Sequence, residues 1–196
     1  MSKRKQETII VEEEVKGLPY NKFIKTVLDF VVLGLSVICL LSLVIPVIRT
    51  WYPLSNNPTY TNFFIPGYAF IFGAEIQDVG SETSKRFLTV QFNLRYFLSY
   101  IFIILGSAGV GLGYLKGTKK YKKFFRLVSA LLFAAAFALV FTYNADLLKE
   151  LRNYKGISNT IKEIEFTVYG IIHLVSLGLG SIVMFYQANC EEFVKN

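Results

Sequence analysis

His173 is the only histidine in the chain, and Ser176 follows it by one helical turn. An imidazole inside an apolar segment is a functional candidate by default, because ionisable groups are costly in hydrocarbon. Two roles are open to this pair: a proton or ligand site, or a hydrogen bond to a neighbouring helix. A metal site is not expected, since no cysteine or carboxylate stands at ligand spacing from His173. Glu75, Asp78 and Glu82 cluster in a polar segment, where carboxylates are ordinarily solvated, and no nucleophile and base accompany them. Cys39 and Cys190 read as free thiols. Asp29 and Arg126 read as charges near the ends of apolar segments, Arg126 snorkelling toward the headgroups and Asp29 pairing with Lys25. No catalytic set and no cofactor is therefore expected, and the chain is not expected to be an enzyme.

A second group of residues is chemically inert but informative. Gly106-Ser107-Ala108-Gly109-Val110-Gly111-Leu112-Gly113 has the composition of a nucleotide-binding loop. It lacks that motif's context, since it lies inside an apolar run and follows no strand. Gly106, Gly109 and Gly113 instead share one strip of a helix, and Gly178 and Gly180 stand in another apolar run. Small residues so placed let helix backbones approach closely in lipid, so these five glycines are expected to pack helix against helix.

The elements that must position these groups follow from the apolar runs. Of 196 residues 53% are hydrophobic and 18% charged, and the mean hydropathy is +0.44. Disordered, collagen-like and disulfide-rich readings are excluded by the apolar content, the aperiodic glycines and the two cysteines. Four stretches, 27–48, 96–115, 124–143 and 166–186, are each long enough to cross about 30 Å of hydrocarbon as a helix. The first lacks a cleavage pattern and is read as a retained anchor. The remainder divides into a tail (1–26), a first loop (49–95), a short loop (116–123), a third loop (144–165) and a second tail (187–196).

Orientation follows from basic residues, which resist translocation. The tails and the short loop carry 12 of the 21 lysines and arginines, which predicts both termini on the cytoplasmic side of the plasma membrane. Lys116, Lys119, Lys120, Lys122 and Lys123 are expected to contact anionic headgroups, at about 1 kcal/mol each, and not nucleic acid.

Outside the lipid, Leu88, Val90, Phe92 and Leu94 alternate with polar residues as a half-buried strand does. Tyr68 to Ile76 is the expected partner strand, with Gly80 to Ser84 turning between them. Phe63-Phe64-Ile65-Pro66-Gly67 is an alternative candidate to dip into the interface. Leu147, Leu148, Leu151 and Tyr154 repeat at helical spacing up to Gly156, and Thr160-Ile161-Lys162-Glu163 matches a capping box, so helices three and four are expected to project beyond the lipid. The fold class is thus an all-α polytopic membrane protein: a four-helix transmembrane bundle with a small extracellular β-hairpin or sheet in the first outer loop.

Four spans with a long, strand-bearing first loop resemble the claudin-like tetraspan layout. That family's loop signature is a Trp, a Gly-Leu-Trp and two cysteines, whereas Trp51 is the only Trp here and the loop has no Cys. The run Pro66-Gly67-Tyr68-Ala69-Phe70-Ile71-Phe72-Gly73 is similar to a segment of four-helix membrane proteins of low-GC Gram-positive bacteria. The expected role is a non-catalytic subunit or scaffold of a larger membrane assembly, contacting a membrane-protein partner or further copies of itself. The alternative is a homo-oligomeric transporter or channel.

Overall fold

The computed structural model describes residues 22–53, 60–77, 87–115, 118, 121–152 and 163–190. Four of its helices are long and apolar enough to cross a membrane: α1 (Lys22–Leu41), α3 (Leu94–Leu112), α4 (Lys122–Arg152) and α5 (Val168–Asn189). Among the described residues a short helix, α2 (Gly67–Phe72), and five strands accompany them: β1 (Pro46–Pro53), β2 (Tyr60–Pro66), β3 (Ala74–Gln77), β4 (Phe87–Val90) and β5 (Glu163–Phe166). The protein is therefore mostly helical, with a sheet layer at one end.

The long helices form a ring in which α3 packs between α1 and α4, and α5 between α4 and α1. This leaves α1 and α4 on one diagonal and α3 and α5 on the other. Small residues set the closest approaches. A Cβ on Gly106 would stand 3.2 Å from the Phe133 ring, and one on Gly109 would meet the Ser129 hydroxyl. Ser129 in turn donates to the Gly106 carbonyl, and Ser181 to that of Ala130. Gly178 and Gly180 lie at looser distances, near the rings of Phe137 and Phe133. Gly113 abuts the Lys122 side chain.

The apolar run predicts a helix through Ile48, but α1 stops at Leu41 and residues 46–53 are a strand. Pro46 has no amide hydrogen to continue a helix and suits a strand start. β1 is the centre of an antiparallel sheet ordered β2-β1-β5. The alternation in Glu163-Ile164-Glu165-Phe166 explains β5, which stands where a capping box was expected to open a helix. Residues 160–162 lie outside the described ones. Helix α5 instead opens at Thr167, whose hydroxyl accepts from the Gly170 amide. Only α4 continues past the apolar segment that ends at Tyr143.

The expected hairpin is present in part. β3 pairs with β4, matching Ala74 to Val90 and Gln77 to Phe87, whereas 68–72 is helical rather than extended. Phe63 to Pro66 belongs to β2, not to a segment dipping into the interface. Helix α2 is wedged between the ends of α1 and α3. Its first amides, Gly67 and Tyr68, donate to the carbonyls of Ser42 and Leu43, and its Phe70 carbonyl accepts from Asn93, the N-cap of α3. Free carbonyls at one helix end thus meet free amides at the next. Gly73, with φ of 73°, turns the chain from α2 into β3 in a conformation that favours glycine.

Candidate functional site: two buried polar clusters

At the sheet end, three elements bring three polar side chains to one point. Ser42 follows the last turn of α1, Tyr100 stands on α3 and His173 on α5. The Ser42 Oγ lies 2.7 Å from the Tyr100 hydroxyl and 2.7 Å from Nδ1 of His173. It also donates to the Cys39 carbonyl at 2.5 Å. A hydroxyl has one hydrogen and two lone pairs. With its hydrogen on a carbonyl that can only accept, Ser42 must accept from both other partners. In that arrangement Tyr100 donates and His173 carries its hydrogen on Nδ1.

In that arrangement the serine is filled on every side. A histidine that donates to a serine is not a base withdrawing that serine's proton, and a serine with every position filled is not a poised nucleophile. The cluster is a crosslink that ties α1 to both helices of the α3/α5 diagonal. Nε2 of His173 and the Tyr96 hydroxyl are buried with no hydrogen-bond partner among the described residues. Tyr96 joins an aromatic group beside the cluster, its ring centroid 4.6 Å from Phe70 and 5.0 Å from Tyr143. Ser176, paired with His173 in the sequence reading, is buried one turn away, but Ser42 is the serine bonded to His173. A carbon on Gly67 would collide with the Tyr100 hydroxyl and the Ser42 carbonyl, so the close seat of α2 depends on glycine there.

The second cluster lies at the opposite end of the bundle and spans the other diagonal. Asp29 of α1 and Arg126 of α4 form an ion pair at 2.6 Å, each side chain only 2% exposed. The Tyr114 hydroxyl donates to the same Asp29 oxygen at 2.5 Å, and the Lys122 ammonium lies 4.9 Å from the Tyr114 ring centre. Snorkelling of Arg126 and a local Asp29–Lys25 pair were expected; Asp29 and Arg126 instead meet across the bundle. Sequence spacing displays i,i+4 neighbours, whereas a diagonal contact is set by tertiary packing. Nearby, the Gln187 amide of α5 donates to the Lys25 carbonyl at 3.3 Å.

Of the lysines read as lipid contacts, Lys122 and Lys123 are half-buried at the start of α4. Lys116, Lys119 and Lys120 lie outside the described residues, as do Asp78 and Glu82; Glu75 is exposed on β3. Cys39 is a buried free thiol whose sulfur lies 3.7 Å from the His173 carbonyl, and Cys190 is free and half-buried.

The sheet completes the frame around the first cluster. Thr167 donates its amide to the Val47 carbonyl and its hydroxyl to that of Pro46. Val47 sits at an irregularity in the β1–β2 register, and its carbonyl fills the space a side chain on Gly170 would need. The start of α5, and with it His173, is thereby fixed to β1. No family model matches the sequence, and no curated protein matches it.

Proposed function

We propose that this chain is a non-catalytic subunit of a larger plasma-membrane assembly, with both termini cytoplasmic and the sheet end outside. The observation that carries this reading is the saturated Ser42 hydroxyl, which makes the most chemically suggestive residues of the chain a structural crosslink. The Ser42 hydroxyl and the Asp29–Arg126 pair are spent on structural contacts, which supports a chain that acts through its surfaces. The partner-facing surface is the sheet end, where the β3–β4 ribbon carries exposed Glu75 and α4 runs about 14 Å past Tyr143 at roughly 1.5 Å per residue. In layout this is similar to the claudin-like tetraspan arrangement.

Mass analysis after purification in mild detergent tests the reading. A stoichiometric membrane partner or a defined oligomer is expected, and Glu75→Lys should weaken it. A lone monomer would overturn the proposal.

One observation favours a second reading, a homo-oligomeric transporter or channel. His173 Nε2 and the Tyr96 hydroxyl are interior polar atoms without partners among the described residues, as groups along a solute path would be. Solute flux into liposomes, compared with His173→Ala, decides this, and absence of flux from both proteins would eliminate it.

A further inference from the structure

The two faces of the three-stranded sheet differ. Ile48, Thr50, Phe63 and Ile65 are buried. The intervening positions form a row across the three strands, with Arg49 standing opposite Phe64 on β2 and opposite Glu165 on β5. The Arg49 guanidinium carbon lies 5.4 Å from the Phe64 ring centre. Together with Phe166, Val168 and Tyr169, this row lines a largely apolar cleft of about 540 Å³.

The cleft's position bears on what fills it. Val168 is the first residue of a helix apolar and long enough to cross a membrane, so the cleft stands where hydrocarbon would give way to headgroups. Val168 is 70% exposed, and the apolar surface continues from it along α5 through Ile171, Ile172 and Val175. A molecule with its polar part at the sheet and an apolar chain running down α5 matches both halves of this surface.

We infer that the cleft binds a phospholipid whose headgroup carries a primary amine, the phosphoethanolamine class. The Arg49 fork suits a phosphate. The Glu165 carboxylate on the adjoining strand suits a hydrogen-bonding ammonium. Neighbours across two strands stand about 5 Å apart at Cβ, a gap that the two-carbon link between phosphate and amine can bridge. An anionic headgroup without an amine would seat its phosphate at Arg49 in the same way but bring no donor to the Glu165 carboxylate. A quaternary ammonium cannot donate a hydrogen bond, and the Phe64 face that would attract it is already occupied by Arg49.

The experiment uses the full chain, delipidated in detergent and offered equal amounts of phosphatidylethanolamine, phosphatidylcholine and phosphatidylglycerol, with retained lipid read by native mass spectrometry. The amine-bearing lipid should be retained at least tenfold over the other two. Glu165→Gln should cut that preference at least fivefold, and Arg49→Gln should reduce retention of all three. Equal retention of the three lipids by the wild-type chain would overturn the inference, as would a Glu165→Gln variant that keeps the full preference. The wild-type ranking decides the matter even if a variant does not fold.

Discussion

At the sheet end, an imidazole, a phenol and a carbonyl share one serine hydroxyl; at the opposite end, a guanidinium and a phenol share one carboxylate oxygen. Both arrangements join elements across a bundle whose neighbouring helices are otherwise held by close-packed small residues. They differ in what a break leaves behind. Loss of one partner at the serine leaves an unfilled donor or acceptor. Loss of either charge of the Asp29–Arg126 pair leaves the other in an apolar interior, where the desolvation cost is far greater. The same geometric task is therefore fragile at one end and tolerant at the other. Apolar packing alone would constrain helix rotation weakly, and the directional contacts add a definite register.

The sharpest way to break this comparison is to orphan one charge. Arg126→Met or Asp29→Leu should each cost about 3–5 kcal/mol, whereas the double variant should recover most of that loss, because two matched apolar groups need no partner. Reversible denaturation in detergent, arranged as a double-mutant cycle, measures the coupling. Additive losses would mean that the pair is not a buried unit, and the contrast between the two ends would disappear.

The serine end should respond less. Ser42→Ala removes the shared acceptor and leaves the Tyr100 hydroxyl and the His173 Nδ1–H unsatisfied, at a cost of about 1–3 kcal/mol. Ser176→Ala, one turn from His173 on α5, should cost less than Ser42→Ala in the same assay. Gly67→Ala attacks the same cluster sterically, since the new carbon would enter the space of the Tyr100 hydroxyl and the Ser42 carbonyl. Overpacking of this kind costs about 1–3 kcal/mol. Gly111→Ala is the control, because a side chain there meets nothing within 4 Å.

The four apolar helices were legible in the sequence because length and hydropathy are local properties, and α3, α4 and α5 begin within two residues of the predicted spans. Gly106 and Gly109 were legible as small residues on one helical strip, and they do face α4 closely. His173 was legible as an oddity, but its partner was not. Ser42 lies 131 positions away, just past a helix end, in a stretch with no periodic signal. The Asp29–Arg126 pair was missed for the same reason: each charge has a plausible local explanation, and only the diagonal of the ring brings them together. The β1–β5 pairing joins segments separated by two long helices, α3 and α4. Its alternating Glu-Ile-Glu-Phe signal was present, but a capping-box match competed for the same residues.

The smallest expected effect comes from the two phenols. Tyr114 is 42% exposed, and its hydroxyl donates to an Asp29 oxygen that Arg126 already contacts. Tyr114→Phe therefore leaves the ion pair standing and keeps the ring beneath Lys122, so the loss should fall at the lower end of the range of about 0.5–1.5 kcal/mol for one hydrogen bond. Tyr100→Phe removes a donor from a buried hydroxyl that keeps its contacts to His173 and Cys39, and should fall within the same range but above Tyr114→Phe. The two variants, melted side by side in detergent, ask whether Arg126 alone satisfies the Asp29 charge. A Tyr114→Phe loss as large as that of Arg126→Met would show that Arg126 alone does not satisfy the Asp29 carboxylate, and that the phenol is as necessary to the cluster as the guanidinium.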